Sequence, residues 1–289
     1  MKRITKKAVL MMLAAFMMSL QANAQVTIKL WDKNMPYTNE VKTSEKVIEK
    51  GRIIDVSNPE MIVYPAPVPN GLAVVDCPGG AYRFLSMQQE GIDMAPWFNA
   101  LGITYVVLKY RMPNMGHYQA SLSDVQQAIK MMKTHDKDWQ IRKVGVMGAS
   151  AGGHLASTAA THYDEASRPD FQILLYPVIT MKEGKTHAGS KLQLLGKNPS
   201  DELVQKFSNE EQVTPNTPPA FILHCFDDPV VPVMNSIDYF TALQKNKVSA
   251  SLHIYPRGGH GFGYYDVFPY KDQWLNDMAK WLRLEILGR

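Results

Sequence analysis

The sequence predicts an α/β fold in which a mostly parallel central sheet is covered by helices on both faces. Short runs that are apolar at every position indicate strands buried on both faces. Helical patterns separate most of these runs, and this alternation is typical of a parallel sheet. With 289 residues, of which 45% are hydrophobic, the chain can bury one large core. We therefore expect residues 25–289 to form a single domain.

The first 24 residues have the layout of a secretory signal peptide. A basic segment, Lys2 to Lys7, precedes an apolar run, Ala8 to Leu20, and a cleavage site of small residues ending at Ala24. The run is too short for a comfortable membrane span, and no cysteine marks a lipoprotein. We expect cleavage after Ala24 and a periplasmic or secreted mature protein without a membrane span. An uncleaved anchor is the alternative.

The net charge excludes some partner classes. It is +4, from 31 Lys and Arg against 27 Asp and Glu. Four of the basic residues lie in the first 24 residues, which hold no acid, so the remainder is formally neutral. A neutral chain does not suit a nucleic acid or an anionic membrane surface. The sequence leaves the oligomeric state open.

In the N-terminal half, strands and helices alternate after a charged surface stretch, Glu40 to Lys50. Val125, Ile129 and Met132 recur at helical spacing, and Ser123 is predicted to cap their helix. The other predicted elements of this half are the strands Val26 to Leu30, Glu60 to Pro65, Leu72 to Cys77 and Thr104 to Lys109, and the helix Asp93 to Leu101.

In the C-terminal half, the alternation is interrupted between Met181 and Pro219. This segment has little strand character, with one possible helix near Asp201 to Phe207. Because long loops inside compact domains are usually functional, we expect residues 181–219 to form a lid-like insertion over the active site. The regular elements are the strands Val144 to Met147, Phe171 to Tyr176, Ala220 to Cys225 and Ser251 to Tyr255, and the helices His154 to His162, Ser236 to Lys245 and a final one carrying Trp274, Met278 and Trp281.

The predicted strands end in residues suited to chemistry. Ser150, the pair Asp227 and Asp228, and His260 each follow a strand, and ligands of parallel sheets gather at these ends. A serine hydroxyl becomes a nucleophile when a histidine accepts its proton, and a carboxylate fixes the tautomer of that histidine. The order Ser, Asp, His therefore predicts acyl transfer.

Ser150 lies in Gly148-Ala149-Ser150-Ala151-Gly152, a G-x-S-x-G motif between a predicted strand and a predicted helix. In a nucleophile elbow this layout holds the serine in a strained turn, and small neighbours let strand and helix approach. The alternative is an ordinary glycine-rich turn in which Ser150 caps the helix.

Four motifs in order resemble the α/β-hydrolase esterases, a group that includes bacterial acetyl xylan esterases and hormone-sensitive-lipase-like carboxylesterases. Pro78 stands where the group has histidine and Cys225 where it has glycine, so a tethering hydrogen bond and the packing beside the acid loop are expected to differ. The resemblance runs from about Val26 to the C-terminus. The matching motifs are Pro78-Gly79-Gly80-Ala81-Tyr82, Gly148-Ala149-Ser150-Ala151-Gly152-Gly153-His154, His224-Cys225-Phe226-Asp227-Asp228 and Gly259-His260-Gly261-Phe262.

The resemblance implies a role for each matching residue. Ser150 would be the nucleophile, His260 the base and then the acid, and Asp228 the carboxylate that orients His260. The reaction would pass through an acyl-enzyme on Ser150 and require no metal or organic cofactor, and no histidine pair shows convincing zinc spacing with a third ligand. The oxyanion would be bound by the backbone N–H groups of Gly80, Ala81 and Ala151.

Other candidate residues are assigned from their context. Tyr82 directly follows the oxyanion stretch and is predicted to contact substrate. Trp97 and Phe98 fall in a predicted helix and are expected in the core. Arg111 is expected to pair with Asp124.

The predicted function is an exported serine carboxylic-ester hydrolase that removes acetyl groups from hemicellulose or xylan-derived sugars. Its substrate class rests on the resemblance and on export. The alternatives are a feruloyl esterase, a serine peptidase or amidase of the prolyl-oligopeptidase type, and a non-catalytic binding protein of the same fold.

The two cysteines, Cys77 and Cys225, are not expected to form a disulfide. The resemblance implies that three strand spacings of about 4.8 Å separate them, which places them about 14 Å apart. A disulfide needs Cα atoms within about 7 Å.

Overall fold

The structure, a computed structural model, describes residues 25–135 and 137–289, so the predicted signal peptide lies outside the described residues. Its strands follow the predicted apolar runs closely, because such runs can be buried only between two covering layers. They are β1 (Val26–Lys29), β2 (Lys46–Ile48), β3 (Arg52–Ile54), β4 (Glu60–Tyr64), β5 (Leu72–Cys77), β6 (Thr104–Lys109), β7 (Lys143–Ala149), β8 (Phe171–Leu175), β9 (Ala220–Cys225) and β10 (Ala250–Tyr255).

Eight of these strands form one sheet in the order β1-β4-β6-β5-β7-β8-β9-β10. The pairs β1–β4 and β4–β6 are antiparallel, and every other neighbouring pair is parallel. Every residue of β5, β6, β8 and β9 is buried, so both faces of the sheet are covered. The predicted α/β class with a mostly parallel sheet is confirmed.

The helices fill the connections between strands. The residues Val125, Ile129 and Met132, which predicted one of them, are all fully buried against the sheet. The helices are α1 (Ala95–Ala100), α2 (Tyr118–Thr134), α3 (Ala151–Thr161), α4 (Ala188–Leu195), α5 (Asp201–Lys206), α6 (Met234–Lys245) and α7 (Lys271–Trp281), which continues into a π-helical turn (Leu282–Ile286).

One local prediction is wrong, and two elements were not predicted. Helix α2 begins at Tyr118, and Ser123 lies inside it, where its hydroxyl donates to the carbonyl of Ala120 instead of capping the helix. The stretch Glu40 to Lys50 lies at the surface as predicted, but it also contains the exposed strand β2, which forms a hairpin with the half-buried β3. Helix α4 was not predicted. It begins after His187, whose ring accepts a hydrogen bond from the backbone N–H of Ser190.

The strand order also settles the cysteines. Strand β5, which ends at Cys77, is separated from β9, which ends at Cys225, by β7 and β8, as expected. Both thiols are buried and unpaired with each other, so the prediction of no disulfide is confirmed. Within the ranges 25–135 and 137–289, no helix is both long and apolar enough to cross a membrane.

Candidate active site

Ser150 occupies the sharp turn between β7 and α3. Its backbone has φ of 53° and ψ of −120°, a conformation that is strained for a residue with a side chain. The turn closes because its neighbours lack side chains: a Cβ on Gly152 would lie 1.9 Å from the carbonyl oxygen of Cys77, and one on Gly148 would lie 2.2 Å from the carbonyl oxygen of Gly152. The turn is not an ordinary capped turn, because the Ser150 side chain makes no cap hydrogen bond to the helix.

Ser150, His260 and Asp228 form a hydrogen-bonded relay. The Nε2 atom of His260 lies 2.8 Å from Ser150 Oγ, and its Nδ1 atom lies 2.6 Å from Asp228 Oδ2. An ionised carboxylate can only accept, so Nδ1 carries the hydrogen and Nε2 accepts the serine hydroxyl. The arrangement can therefore remove the proton of Ser150 as its oxygen attacks a carbonyl carbon.

Asp228 is held by donors on both oxygens. The backbone N–H groups of Val230 and Val231 donate to Oδ1 at 2.8 and 2.9 Å. His224 Nε2 lies 3.2 Å from Oδ2 and also donates to the Val231 carbonyl. Burial by itself would raise the pKa of Asp228, but the hydrogen bonds from His224 and His260 outweigh it and hold the pKa below its ordinary value. The residue is therefore a carboxylate at neutral pH.

The neighbouring acid, Asp227, faces elsewhere. Its two oxygens accept the backbone N–H groups of Gly258 and Gly259, at 3.2 and 2.8 Å. Asp227 thus fastens the glycine-rich loop that carries His260 without contacting the ring.

The loop after β5 faces Ser150 from the side. Gly80, Ala81 and Tyr82 all have positive φ, of 134°, 55° and 60°. Gly79 passes so close that a Cβ there would lie 3.1 Å from Ser150 Cβ. No acceptor in the described part of the chain engages the backbone N–H groups of Gly80, Ala81 or Ala151. These groups remain available to a developing oxyanion, which the adjacent N-terminus of α3 also favours.

The loop has tethers that the sequence did not reveal. Pro78 replaces the expected histidine, yet its carbonyl accepts a hydrogen bond from the Tyr110 hydroxyl at 2.8 Å. The backbone N–H of Gly79 donates to Glu90 Oε2 at 3.0 Å. Neither partner lies in a recognised motif, so only the folded chain shows them.

A cavity of about 340 Å³ opens above Ser150 and His260. Its described lining combines apolar groups with the polar side chains of Arg52, Gln89 and His187. A larger cavity of about 700 Å³ lies near β1 and β4, and its described lining holds no serine, cysteine or histidine. The cavity at Ser150 is therefore the better candidate for chemistry.

The prediction that Tyr82 contacts substrate is wrong. Its side chain is 1% exposed and points into the core, where the hydroxyl donates to His154 Nδ1 at 2.9 Å. The direction is fixed because His154 Nε2 must donate to the Phe207 carbonyl at 2.8 Å. The expected core location is correct for Phe98, whereas Trp97 is only partly buried and packs against the core. Arg111 pairs with Asp124 at 2.7 Å.

Several cavity residues were missed by sequence reasoning, among them Arg52, Glu90 and His187. His187 comes from the segment 181–219, and Arg52 comes from β3, which is joined to the oxyanion loop by paired hydrogen bonds between Ile53 and Leu85. Farther along the same segment, the Asn209 amide donates to the hydroxyls of Ser157 and Thr158 on α3. That this segment forms a lid over the site stays a prediction.

Comparison with known proteins assigns this chain to a family. Residues 66–243 match the family model described as BD-FAE, which is more than half of the chain. The chain belongs to the BD-FAE family. The predicted classification among the α/β-hydrolase esterases is confirmed by this family and by the relatives of known structure.

Three relatives of this BD-FAE chain are informative. It is 40% identical to an acetylxylan esterase of Xylanibacter ruminicola over 79% of its own length and 49% of the relative's. It is 36% identical to endo-1,4-beta-xylanase B of Butyrivibrio fibrisolvens over 64% of its own length and 31% of the relative's. The chain thus spans about half, or less, of these curated relatives. The structure of an acetyl ester-xyloside bifunctional hydrolase from Caldicellulosiruptor lactoaceticus matches with a TM-score of 0.76 and 34% identity, over 91% of this chain and 96% of that one.

Across residues 25–135 and 137–289, no three His, Cys, Asp or Glu side chains cluster in a way that could bind a metal ion.

Proposed function

We propose that this chain is an exported serine carboxylic-ester hydrolase that removes acetyl groups from xylan-derived sugars. The relay from Asp228 through His260 to Ser150 carries the proposal, with spacings of 2.6 and 2.8 Å. Relatives named for acetylxylan and acetyl ester-xyloside hydrolysis support the substrate class. The basic and apolar pattern of residues 1–24 supports export, and residues 25–289 form the catalytic domain in this proposal.

In the proposed reaction, Ser150 Oγ attacks the ester carbonyl carbon while His260 Nε2 takes its proton. The negative charge that develops on the carbonyl oxygen is bound by the backbone N–H groups of Gly80, Ala81 and Ala151. His260 then gives the proton to the departing sugar oxygen, which leaves an acetyl group on Ser150. Water deprotonated by His260 attacks this acyl-enzyme and releases acetate.

The cavity supports a small acyl group on a hydroxylated alcohol. Its volume of about 340 Å³ and the polar side chains of Arg52, Gln89 and His187 in its wall suit a sugar better than a long acyl chain. Each of these side chains can exchange hydrogen bonds with sugar hydroxyls.

The test is turnover of p-nitrophenyl acetate and of acetylated xylo-oligosaccharides by the purified wild-type chain and by Ser150→Ala. The proposal requires release of acetate from both substrates by the wild type and a loss of several orders of magnitude in the variant. Equal rates for the two proteins would exclude the serine mechanism. Activity on the nitrophenyl ester alone would keep the mechanism and reject the sugar substrate.

A further inference from the structure

Glu90 is a buried carboxylate in the cavity wall to which the proposed reaction assigns no role. It is 5% exposed, and it is the only carboxylate among the described residues that line the cavity at Ser150. Burial raises its pKa, although the Tyr176 hydroxyl and the nearby His260 act in the opposite direction. A charge this well buried is costly unless its oxygens are satisfied by hydrogen bonds.

Both oxygens of Glu90 accept a hydrogen bond. The Tyr176 hydroxyl accepts from the backbone N–H of Gly263 at 3.0 Å and donates its own hydrogen to Glu90 Oε1 at 2.8 Å. The backbone N–H of Gly79 donates to Glu90 Oε2 at 3.0 Å. One carboxylate therefore joins two loops that are far apart in the sequence.

These two loops carry the two halves of the proposed machinery. Gly79 immediately precedes the oxyanion donors Gly80 and Ala81, and Gly263 lies just after His260. The ring of Tyr176 also packs edge-on against His260, with a centroid distance of 4.9 Å.

We propose that Glu90 is a positioning residue that holds the oxyanion loop and the histidine loop in register, so that donors and base face the same carbonyl group. The inference rests on the proposed function. Its physical basis is that a displacement of about 1 Å between reacting groups can cost about 100-fold in rate. Glu90 touches neither Ser150 nor His260 through a hydrogen bond, so it acts through Gly79 and Tyr176.

The role requires a carboxylate and not merely a residue of this shape. Glutamine has the same size but one acceptor oxygen. If that oxygen keeps the Gly79 N–H, the amide nitrogen faces Tyr176, whose hydroxyl can then no longer donate to residue 90, and the charge-assisted hydrogen bond is lost. In Glu90→Gln we expect kcat for p-nitrophenyl acetate to fall about 10- to 100-fold while KM stays within about twofold, because the cavity keeps its shape. Tyr176→Phe breaks only the link to the histidine loop.

Matched controls exist in the same chain. Glu60→Gln makes the same atom exchange in an ion pair with Lys109, outside this cavity. Tyr239→Phe removes a buried hydroxyl that donates to the side chain of Gln172 in β8. Both controls should keep kcat within about twofold of wild type.

The decisive experiment combines steady-state kinetics with hydrogen–deuterium exchange of peptides covering 78–86 and 258–265. Glu90→Gln should speed exchange in both peptides and Tyr176→Phe chiefly in 258–265, whereas the controls change neither. The inference is overturned if both peptides of Glu90→Gln exchange at the wild-type rate, or if KM rises while kcat is unchanged. If Glu90→Gln does not fold, Tyr176→Phe decides. The inference is refuted if the exchange rates and kcat of Tyr176→Phe equal those of the control Tyr239→Phe. A wild-type chain without ester turnover would defeat the proposed function, and the exchange data would still decide whether Glu90 couples the loops.

Discussion

Replacing Asp228 by asparagine should disable the relay through the tautomer of His260. The Val230 and Val231 N–H groups both donate to Oδ1, at 2.8 and 2.9 Å, so the amide oxygen of the new side chain must stay at that position. Its NH2 group then faces His260 Nδ1, which can no longer donate. The hydrogen moves to Nε2, and the atom facing Ser150 becomes a donor that cannot accept the serine proton.

The expected loss in kcat is about 10⁴-fold, which corresponds to about 5.5 kcal/mol of transition-state stabilisation. Asp227→Asn is the matched control. It replaces an acceptor of the Gly258 and Gly259 N–H groups and leaves the ring of His260 untouched, so kcat should fall less than about 10-fold. The assay is kcat for p-nitrophenyl acetate at neutral pH, with thermal melts to verify folding. An Asp228→Asn chain that retains a tenth of the activity, or a less active Asp227→Asn chain, would refute this reasoning.

Three other predictions concern stability, specificity and the thiols. Burial lowers the pKa of His154 to about 4, so the folded chain keeps it neutral while the unfolded chain protonates it. The contribution of His154 to the free energy of unfolding should fall by about 3 kcal/mol from pH 6.5 to pH 4, measured by urea titration as the difference between wild type and His154→Gln, and equal pH slopes of the two proteins would contradict this. His187→Ala should lower kcat/KM for acetylated xylo-oligosaccharides more than for p-nitrophenyl acetate, because the ring lines the cavity; an unchanged ratio of the two would exclude a role in specificity. Cys77 and Cys225 should react with a thiol reagent only after unfolding, two per chain without reductant, because both are buried; a count of zero would mean that they are oxidised.

The sheet and the placement of the site could be predicted because both follow from local patterns. A run such as β5, apolar at all but Asp76, can be accommodated only inside a covered sheet. Parallel strands bring their carboxyl ends together, so Ser150, Asp228 and His260 had to lie at one edge. The distances between these three side chains depend on how the loops fold, so the sequence predicted that they meet but not how far apart they lie.

Tyr82, Glu90 and the β2–β3 hairpin were beyond sequence reasoning for specific reasons. Tyr82 has φ of 60°, and the resulting turn directs its side chain into the core, away from the cavity. The partners of Glu90 are a backbone N–H, which leaves no trace in a sequence, and the hydroxyl of Tyr176, which lies 86 residues away. The hairpin escaped notice because all three residues of β2 are exposed and show no apolar alternation.

The parallel strands have a practical corollary for protein engineering. All the proposed machinery sits where strands end, so the turns that precede strands lie at the opposite edge of the molecule. The turn between α6 and β10, with the exposed Lys247 at φ of 62°, is one of these. A guest domain inserted there, such as a carbohydrate-binding module, would extend the chain's reach toward an insoluble polymer while leaving the loops around Ser150 intact.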